Sequence, residues 1–409
     1  MARKVFISFL GTGHFKANGS EREYSLTQYG FNDQTYDTSI VGLALKHFLK
    51  PDIVYFFGTM KSAWEDLYLK LGDINPSISI NNEYANKLFE LCNDANQSTP
   101  LNNELFENLV AALPNGSNIF PIKYGLNEQE IKENFEIFAK ALATLKDGDE
   151  VYLDISNSFR SLPLFATTAL SYIQDVSGKK IKLQGIYYGM FEAKTNGIVP
   201  IVDLSYINQL QDWIKGAHSL IHYGNGYLVS ELMEKDNQKI VSDKISNFTD
   251  SLLMNYMHEV KTHKDILTSL QKEDDYTGPA KLILPTVFKN FTSAFSNLES
   301  ISQYQLALAK WHFNKKLYAL SYLALIESIV SYVCEKEGWL ETNETNRKDA
   351  KVKLLKHDKY KAIKVIYAPA NEARKSVAHI IENASQKAQE NIEALRGYLE
   401  AFEQEINKK

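Results

Sequence analysis

The sequence predicts an α/β, Rossmann-like domain with a doubly wound parallel sheet, followed by an all-α region. Short β-rich runs alternate with amphipathic stretches up to about residue 205, and the β signal fades beyond that point. In the last stretch of the chain, apolar residues recur at spacings of three and four. With 409 residues, of which 44% are hydrophobic and 23% charged, the chain is long enough for two or three domains.

Six short runs rich in β-branched and aromatic residues are predicted strands. They cover residues 5–10, 53–57, 119–123, 151–155, 183–188 and, as a later edge or hairpin strand, 198–202. Amphipathic stretches between them predict helices at residues 39–49, 63–71, 83–93, 128–145 and 162–176. A parallel sheet of this kind binds ligands beyond the carboxyl ends of its strands, so functional residues are expected in the turns after the strands.

Beyond residue 203 the sequence predicts helices at residues 207–222, 228–234 and 301–337 and in a terminal stretch from Asn371 onward. The terminal stretch carries one apolar face of a long packing helix. That face consists of Ile381, Ala384, Ala388, Ile392, Leu395, Leu399, Phe402 and Ile406. A boundary near residues 204–206 and a softer one at 272–279 divide the chain into predicted segments 1–205, 206–300 and 301–409.

The composition excludes several classes of protein. The formal net charge of −5 means that any contact with nucleic acid needs a local basic patch. Two cysteines, Cys92 and Cys334, are too few for a disulfide framework, which favours a reducing, cytoplasmic location. No apolar run approaches the ~20 residues of a membrane helix, so no membrane partner is expected. His218 and His222 have the spacing of a zinc pair but no third ligand nearby, so no metal site is predicted.

The turn after the first strand contains Gly11, Thr12 and Gly13. Its glycines let the backbone approach a ligand closely, and its amides and hydroxyl can donate to a phosphate or ribose. A dinucleotide-binding fingerprint would need a glycine at position 16, where the chain has Lys16, and the segment that follows is interpreted as a long polar loop. These departures disfavour a nicotinamide-dependent dehydrogenase.

The turn after the fourth strand is richer in polar groups. It contains Asp154, Ser156, Asn157, Ser158 and Arg160, and Pro163 favours the first turn of a helix directly afterwards. Backbone amides at a helix start and a guanidinium can hold a phosphate or ribose. The same residues serve equally well as a helix cap with a structural ion pair. The residues alone leave both interpretations open.

These turns belong to an ordered series of motifs. The series is VFISFLGTG near the start, Gly58-Thr59 with Ser62 and Trp64, DISNSFRSLP, and IYYGMFEAK followed by VPIVDLS. Over about the first 205 residues it resembles the CARF domain of CRISPR-associated proteins, most closely that of type III ancillary ribonucleases in which CARF precedes a HEPN domain. The resemblance implies a sensor for cyclic oligoadenylate, with cyclic tetra-adenylate as the favoured ring, bound across the two-fold axis of a homodimer or within a higher homo-oligomer.

Each protomer would supply half of the pocket for this activator. The residues that match by position are Gly11, Thr12, Gly13, Ser62, Ser156, Asn157, Ser158, Arg160, Tyr188 and Gly189. Hydroxyls, amides and one guanidinium suit adenine rings, ribose hydroxyls and phosphates. In some relatives the same pocket also cleaves its ring activator, and Thr12 and Ser156 would here orient the attacking 2′-hydroxyl.

In the helical region, Arg374 and His379 stand five residues apart in the segment RKSVAH. RNA cleavage without a metal needs help for the attacking 2′-hydroxyl, the phosphate charge and the departing 5′-oxygen, tasks suited to an imidazole and a guanidinium. Pro369 and Asn371 predict a helix start just before Arg374. At this spacing the two side chains diverge by about 140° on an ideal helix, so one pair does not form a compact site. A surface ion pair for Arg374 and a packed His379 remain the alternative.

RKSVAH matches the Arg-x4-His motif of HEPN ribonucleases, and LYALSYLALIESIVSYV resembles the preceding HEPN helix, with Glu327 as a candidate partner of Arg374. The resemblance implies that two copies meet at a shared cleft in the dimer. Eight cations before the motif could steer RNA toward it, although a solvated helix face is the more frequent role of such residues. They are Arg347, Lys348, Lys351, Lys353, Lys356, Lys359, Lys361 and Lys364.

The sequence therefore predicts a sensor domain at 1–205, a helical connector at 206–300 and a HEPN ribonuclease domain at 301–409. Together they would form a cyclic-oligoadenylate-activated, metal-independent endoribonuclease of type III CRISPR antiviral defence. It would cut single-stranded RNA by attack of the 2′-hydroxyl and leave a 2′,3′-cyclic phosphate. Two alternatives stay open: a non-catalytic sensor whose helical half recruits a partner, and an enzyme that cleaves only its own activator.

Overall fold

A computed structural model describes residues 2–15, 22–23, 25–74, 78–157, 161–256, 276–378 and 384–408 of the chain. It contains two compact units, residues 1–208 and residues 209–409. The first unit is α/β and the second is helical throughout its described residues, which confirms the predicted fold class.

An eight-stranded sheet forms the centre of the first unit. Its order is β5-β4-β10-β9-β8-β1-β6-β7, and β9, β8, β1, β6 and β7 are parallel. These strands span β1 Lys4–Leu10, β4 Thr27–Phe31, β5 Gln34–Thr38, β6 Ile53–Gly58, β7 Asn118–Pro121, β8 Glu150–Asp154, β9 Lys182–Gly189 and β10 Ile198–Asp203. The chain runs outward from β1 through β6 to β7 and then returns to place β8 on the other side of β1. The strand order therefore reverses at β1 and β8, the place where such sheets bind ligands.

Helices cover both faces of this sheet. They are α1 Val41–Leu49, α2 Trp64–Ile74, α3 Asn82–Asp94, α4 Glu107–Ala111, α5 Glu128–Ala143 and α6 Ser161–Val176. Alternate residues of β1 enter two separate cores: Phe6 and Leu10 pack with α1 to α4, whereas Val5, Ile7 and Phe9 pack with α5 and α6. Burial on both faces explains why β1 is almost continuously apolar.

The segment after the first strand was predicted to be a polar loop, and this prediction was wrong. Besides a short pair β2 His14–Phe15 and β3 Arg22–Glu23, it forms the antiparallel hairpin of β4 and β5. The hairpin turns through Asn32 and Asp33, whose φ angles of 48° and 60° fit a two-residue turn of the type that matches strand twist. Both strands are polar and only half buried, so hydrophobic alternation gave no signal.

Nine described helices follow β10. They are α7 Tyr206–Tyr223, α8 Tyr227–Lys235, α9 Lys239–Leu253, α10 Gly278–Ser293, α11 Ile301–Asn314, α12 Tyr318–Lys336, α13 Glu344–Lys356, α14 Lys361–Ala378 and α15 Ala384–Ile406. One hydrophobic core runs from Trp213 on α7 to Phe402 on α15. Leu395, Leu399 and Phe402 of the predicted terminal apolar face lie in this core.

Two predicted helix boundaries in this unit were wrong. The stretch 301–337 is broken between α11 and α12, where Lys316 adopts a left-handed φ of 60°. The helix with Arg374 does not start at Pro369 or Asn371 but at Lys361, and Pro369 lies inside it. Proline costs this helix one backbone hydrogen bond, but Ile363, Ile366 and Tyr367 before it are buried, and their packing outweighs that loss.

Among the described helices, Tyr318–Lys336 is the one whose length and composition would allow a membrane crossing, with a mean hydropathy of 1.2. It is an exception to the expectation that no apolar run approaches that length. Because 67% of its apolar window is buried inside the protein, packing as a core helix accounts for its composition.

His312 on α11 is fully buried, at 0% exposure, and within the described residues neither ring nitrogen has a hydrogen-bond partner. Burial lowers the pKa of His312 from 6.5 to about 4. Below pH 6.5 this histidine is protonated in the unfolded chain but stays neutral in the folded chain. Its contribution to the free energy of unfolding is therefore fully present above pH 6.5 and is lost as the pH falls toward 4. We expect the free energy of unfolding to lose about 2 kcal/mol from this group between pH 7.5 and pH 5.

Chemical denaturation of the His312→Leu variant measures this loss. The variant should show a weaker acid destabilisation than the parent. An identical acid response in His312→Leu would contradict the assignment.

Candidate functional site

A cavity of about 510 Å³ lies beyond the carboxyl ends of the central strands of the first unit. Eight of the ten residues predicted to bind the activator line it. They are Gly11, Thr12, Gly13, Ser62, Ser156, Asn157, Tyr188 and Gly189. The other two predicted residues, Ser158 and Arg160, lie outside the described residues. Turns that are distant in the sequence thus meet at one cavity.

Glycines shape the first wall of the cavity. Gly13 has a φ of 74°, in the left-handed region that favours glycine. A Cβ on Gly11 would lie 3.4 Å from the Cβ of Asn157, so the turns after β1 and β8 approach each other closely. This approach places the Asn157 amide beside the Gly-Thr-Gly turn.

Below the cavity lining, the buried carboxyl group of Asp154 holds Ser156 in place. Asp154 at the end of β8 is 0% exposed and accepts hydrogen bonds from Ser8 Oγ at 2.6 Å, Ser156 Oγ at 2.5 Å and the Ser156 amide at 2.9 Å. Burial raises the pKa of Asp154, and the three donors oppose that effect. Ser156 Oγ also accepts from the Gly189 amide at 2.7 Å, which ties β8 to β9.

Ser62 has a structural contact as well as its place in the lining. Its hydroxyl donates to the backbone oxygen of Leu10 at 2.7 Å, and its side chain is buried. The bond joins the turn after β6 to the end of β1. Ser62 therefore fixes the shape of the cavity even without a ligand.

Sequence reasoning missed several residues of the lining. They are Ser25, Thr27, Tyr29, Ser39, Thr59, Asp66, Phe191 and Glu192 among others. Ser39 Oγ donates to Asp66 Oδ2 at 2.6 Å, and the Tyr188 hydroxyl donates to Glu192 Oε2 at 3.3 Å. Within the described lining residues there are carboxylates but no Lys, Arg or His. The one sequence signal for Thr27 and Tyr29 was the hairpin turn at residues 32–33.

The second predicted site lies on α14. Arg374 is partly exposed, and its Nε donates to Asn371 Oδ1 at 3.2 Å. His379, the other predicted catalytic residue, lies outside the described residues, so the geometry of the pair stays a prediction.

Glu327 is not the partner of Arg374, contrary to the prediction. Its carboxylate forms an ion pair with Arg347 on α13, and Arg347 also donates to Ser331 Oγ at 3.1 Å and to the Glu341 backbone oxygen at 2.9 Å. The sequence could not show this, because Arg347 and Glu327 meet only when α13 folds back on α12.

Most of the cations before the motif have partners. Lys348 pairs with Glu344, and Lys364 donates to the Leu355 backbone oxygen at 2.7 Å. Lys353 and Lys359 both pair with Glu337, and these two lysines together with the Tyr360 hydroxyl lower the pKa of Glu337 to about 2. Because these cations are already paired with nearby acceptors, the role of a solvated helix face is favoured for them over a role in which all of them bind RNA.

In the part of the chain that the structure describes, no group of three or more His, Cys, Asp or Glu side chains is placed to hold a metal ion. Cys92 and Cys334 are both buried thiols.

Two family models match the chain. Residues 5–192 match the model described as "CRISPR system endoribonuclease Csx1, CARF domain". Residues 209–303 match "CRISPR-associated protein MJ1674, second domain".

The CRISPR-associated protein MJ1674 of Methanocaldococcus jannaschii is 34% identical over 348 residues, which cover 81% of this chain and 54% of that protein. The chain thus spans about half the length of this curated relative. Among solved structures, Enterococcus italicus Csm6 bound to cyclic hexa-2′-fluoro-hexa-dAMP is similar at 12% identity and a TM-score of 0.38, over 99% of this chain and 94% of that one.

Proposed function

Because this chain has a CARF domain of the Csx1 type at residues 5–192 and is homologous to the CRISPR-associated protein MJ1674, we propose that it is a cyclic-oligoadenylate-activated endoribonuclease of type III CRISPR defence. One observation carries the proposal. Eight residues from four separate turns, chosen from the sequence as contacts for the activator, line a single cavity of the CARF domain. The proposed location is the cytoplasm, where viral transcripts would be met.

The cavity suits a nucleotide with hydroxyl and amine donors. Its lining offers the hydroxyls of Thr12 and Ser156, the amide of Asn157 and the carboxylates of Asp66 and Glu192. Carboxylates accept hydrogen bonds from a ribose 2′-hydroxyl or an adenine amino group. They repel phosphates, so the phosphates of the ring would lie away from them. Cyclic tetra-adenylate, with two adenylates for each chain of a homodimer, is the ring that we propose.

The proposed nuclease needs no metal. His379 would take the proton of the attacking 2′-hydroxyl or deliver one to the departing 5′-oxygen, and Arg374 would stabilise the charge on the phosphate. The new bond joins the 2′-oxygen to phosphorus, the bond to the 5′-oxygen breaks, and a 2′,3′-cyclic phosphate remains. On an ideal helix, side chains five residues apart, such as those of Arg374 and His379, diverge, so a second copy of the chain would complete the cleft.

Binding of the activator is testable without RNA. We expect isothermal titration to show one cyclic tetra-adenylate for two chains. The Asn157→Ala variant should bind roughly fivefold to tenfold more weakly, because the lost amide hydrogen bond is worth about 1 kcal/mol. Substitution of the exposed Asn82 on α3 by Ala should leave the affinity unchanged. No binding of cyclic tri-, tetra- or hexa-adenylate would contradict the proposal at its sensor.

One observation favours cleavage of the activator as a second candidate function. The hydroxyl proton of Ser156 is committed to Asp154, so Ser156 Oγ faces the cavity as an acceptor for a ligand hydroxyl. A 2′-hydroxyl that donates there would be oriented for attack on the adjacent phosphate. Loss of intact ring in the presence of Arg374→Ala protein would support this function. A ring that stays intact would exclude it.

A further inference from the structure

Arg347, which the proposed chemistry does not use, is held in a fixed orientation. Its guanidinium bonds to Glu327, to Ser331 Oγ at 3.1 Å and to the Glu341 backbone oxygen at 2.9 Å, and its side chain is only 19% exposed. Three acceptors around one guanidinium specify a single geometry. The Glu327 carboxylate is thereby held toward α13.

The helix that carries Arg374, α14, packs against α12, which carries Glu327. Arg374 follows Tyr367 by seven residues, two turns of helix, so the two side chains share one face. The Tyr367 ring on that face is 4% exposed. Burial raises the pKa of Tyr367; the charge of Arg374 opposes this rise and the charge of Glu327 adds to it, so both charges act on this hydroxyl.

The guanidinium of Arg374 has donors that are available for a ligand. Its Nε donates to Asn371 Oδ1, and within the described residues its two Nη groups have no hydrogen-bond or ion-pair partner. An arginine offers five donors in a fork that fits a phosphate. Among the described residues, the Glu327 carboxylate is thus paired with Arg347, whereas the Nη groups of Arg374 are left without a partner.

We infer that Arg347 is a positioning residue of the proposed nuclease site: it holds the Glu327 carboxylate and so keeps the guanidinium of Arg374 open for an RNA phosphate. The inference rests on the proposed function. Without Arg347, Glu327 would carry an uncompensated charge beside α14, and Arg374 is the cation on that face. The carboxylate would then compete with RNA for the same donors.

The test combines Arg347→Gln with Glu327→Gln in a His379→Ala background, where RNA binds but is not cut. Affinity for a single-stranded RNA is measured by fluorescence anisotropy with saturating cyclic tetra-adenylate. Arg347→Gln should weaken RNA binding roughly tenfold to hundredfold, the worth of a charge-assisted hydrogen bond. Adding Glu327→Gln removes the competing carboxylate and should restore the affinity to within about threefold of the parent.

Recovery in the double variant separates positioning from a fold defect, because the double variant also lacks the ion pair. Lys310→Gln, which removes another pair between helices, Lys310 with Glu403 at 2.6 Å, should leave RNA affinity unchanged. Unchanged affinity in Arg347→Gln, or no recovery in the double variant, would overturn the inference. Should Arg347→Gln not fold, Arg347→Lys replaces it. The lysine loses the fork that holds Glu327, so RNA affinity should fall and should recover when Glu327→Gln is added; no loss or no recovery would overturn the inference.

The proposed nuclease function is tested by a different measurement, RNA cleavage, so its failure can be told apart from failure of the inference about Arg347. If the His379→Ala chain still cuts RNA, the active site lies elsewhere, whereas the Arg347 series is decided by RNA affinity alone.

Discussion

We expect His379→Ala to reduce activated RNA cleavage by about three orders of magnitude, because the loss of a general acid or base costs 10² to 10⁴ in rate. Arg374→Ala should cost roughly 10² to 10³ through the lost stabilisation of phosphate charge. Both variants should bind cyclic tetra-adenylate as the parent does, since the proposed activator pocket lies in the CARF domain. Single-turnover cleavage of a labelled RNA at saturating activator gives the rates.

The matched control for the histidine is His357→Ala, which removes an exposed imidazole from the same helical unit. It should cut RNA at the parent rate. Retained cleavage in either His379→Ala or Arg374→Ala would move the active site away from the Arg-x4-His motif.

The second large effect is expected in the CARF domain. Arg160→Ala should strongly reduce RNA cleavage at activator concentrations that are just sufficient to saturate the parent, because the described lining has carboxylates but no cation to balance the ring's phosphates. A lost guanidinium–phosphate contact costs about 1.5 to 3 kcal/mol, or roughly tenfold to more than hundredfold in affinity. Titration of cleavage against activator concentration measures it.

Arg160→Lys is the informative companion, since it keeps the charge and loses the fork, so activation should be partly retained. Full cleavage by Arg160→Ala at low activator would mean either that the phosphates are held by other groups or that the nuclease is constitutive. A parent chain that cuts equally with and without the ring would identify the second case. A ligand can shift the nuclease only by binding one arrangement of the protein better than the other.

The sequence was most informative where a local pattern has one structural meaning. The run of apolar residues in β1 predicted the first core strand, and the glycines and small polar residues after β1 and β8 were candidate ligand contacts at the carboxyl ends of the strands. The structure places those turns around one cavity. The parallel order of the strands made this outcome predictable, since all the turns that follow them emerge at the same edge.

The sequence was least informative where contacts depend on the tertiary packing of distant segments. The hairpin of β4 and β5 is polar and gave no hydrophobic alternation, so the contribution of Thr27 and Tyr29 to the cavity was missed. Pro369 predicted a helix start, but α14 continues through this residue because Ile366 and Tyr367 before it are packed in the core. The partner of Glu327 was also unpredictable, because Arg347 is twenty residues away and reaches it only across a helix turn-back.

The central claim is that a ring of adenylates switches on an RNA-cutting site in the same chain. Its most direct test is cleavage of a fluorogenic single-stranded RNA in EDTA, with and without cyclic tri-, tetra- and hexa-adenylate. The account predicts cleavage with one ring only, cyclic tetra-adenylate, and products that end in a 2′,3′-cyclic phosphate. No cleavage with any ring, although one of them binds, would contradict it and identify the protein as a non-catalytic sensor that acts through a partner.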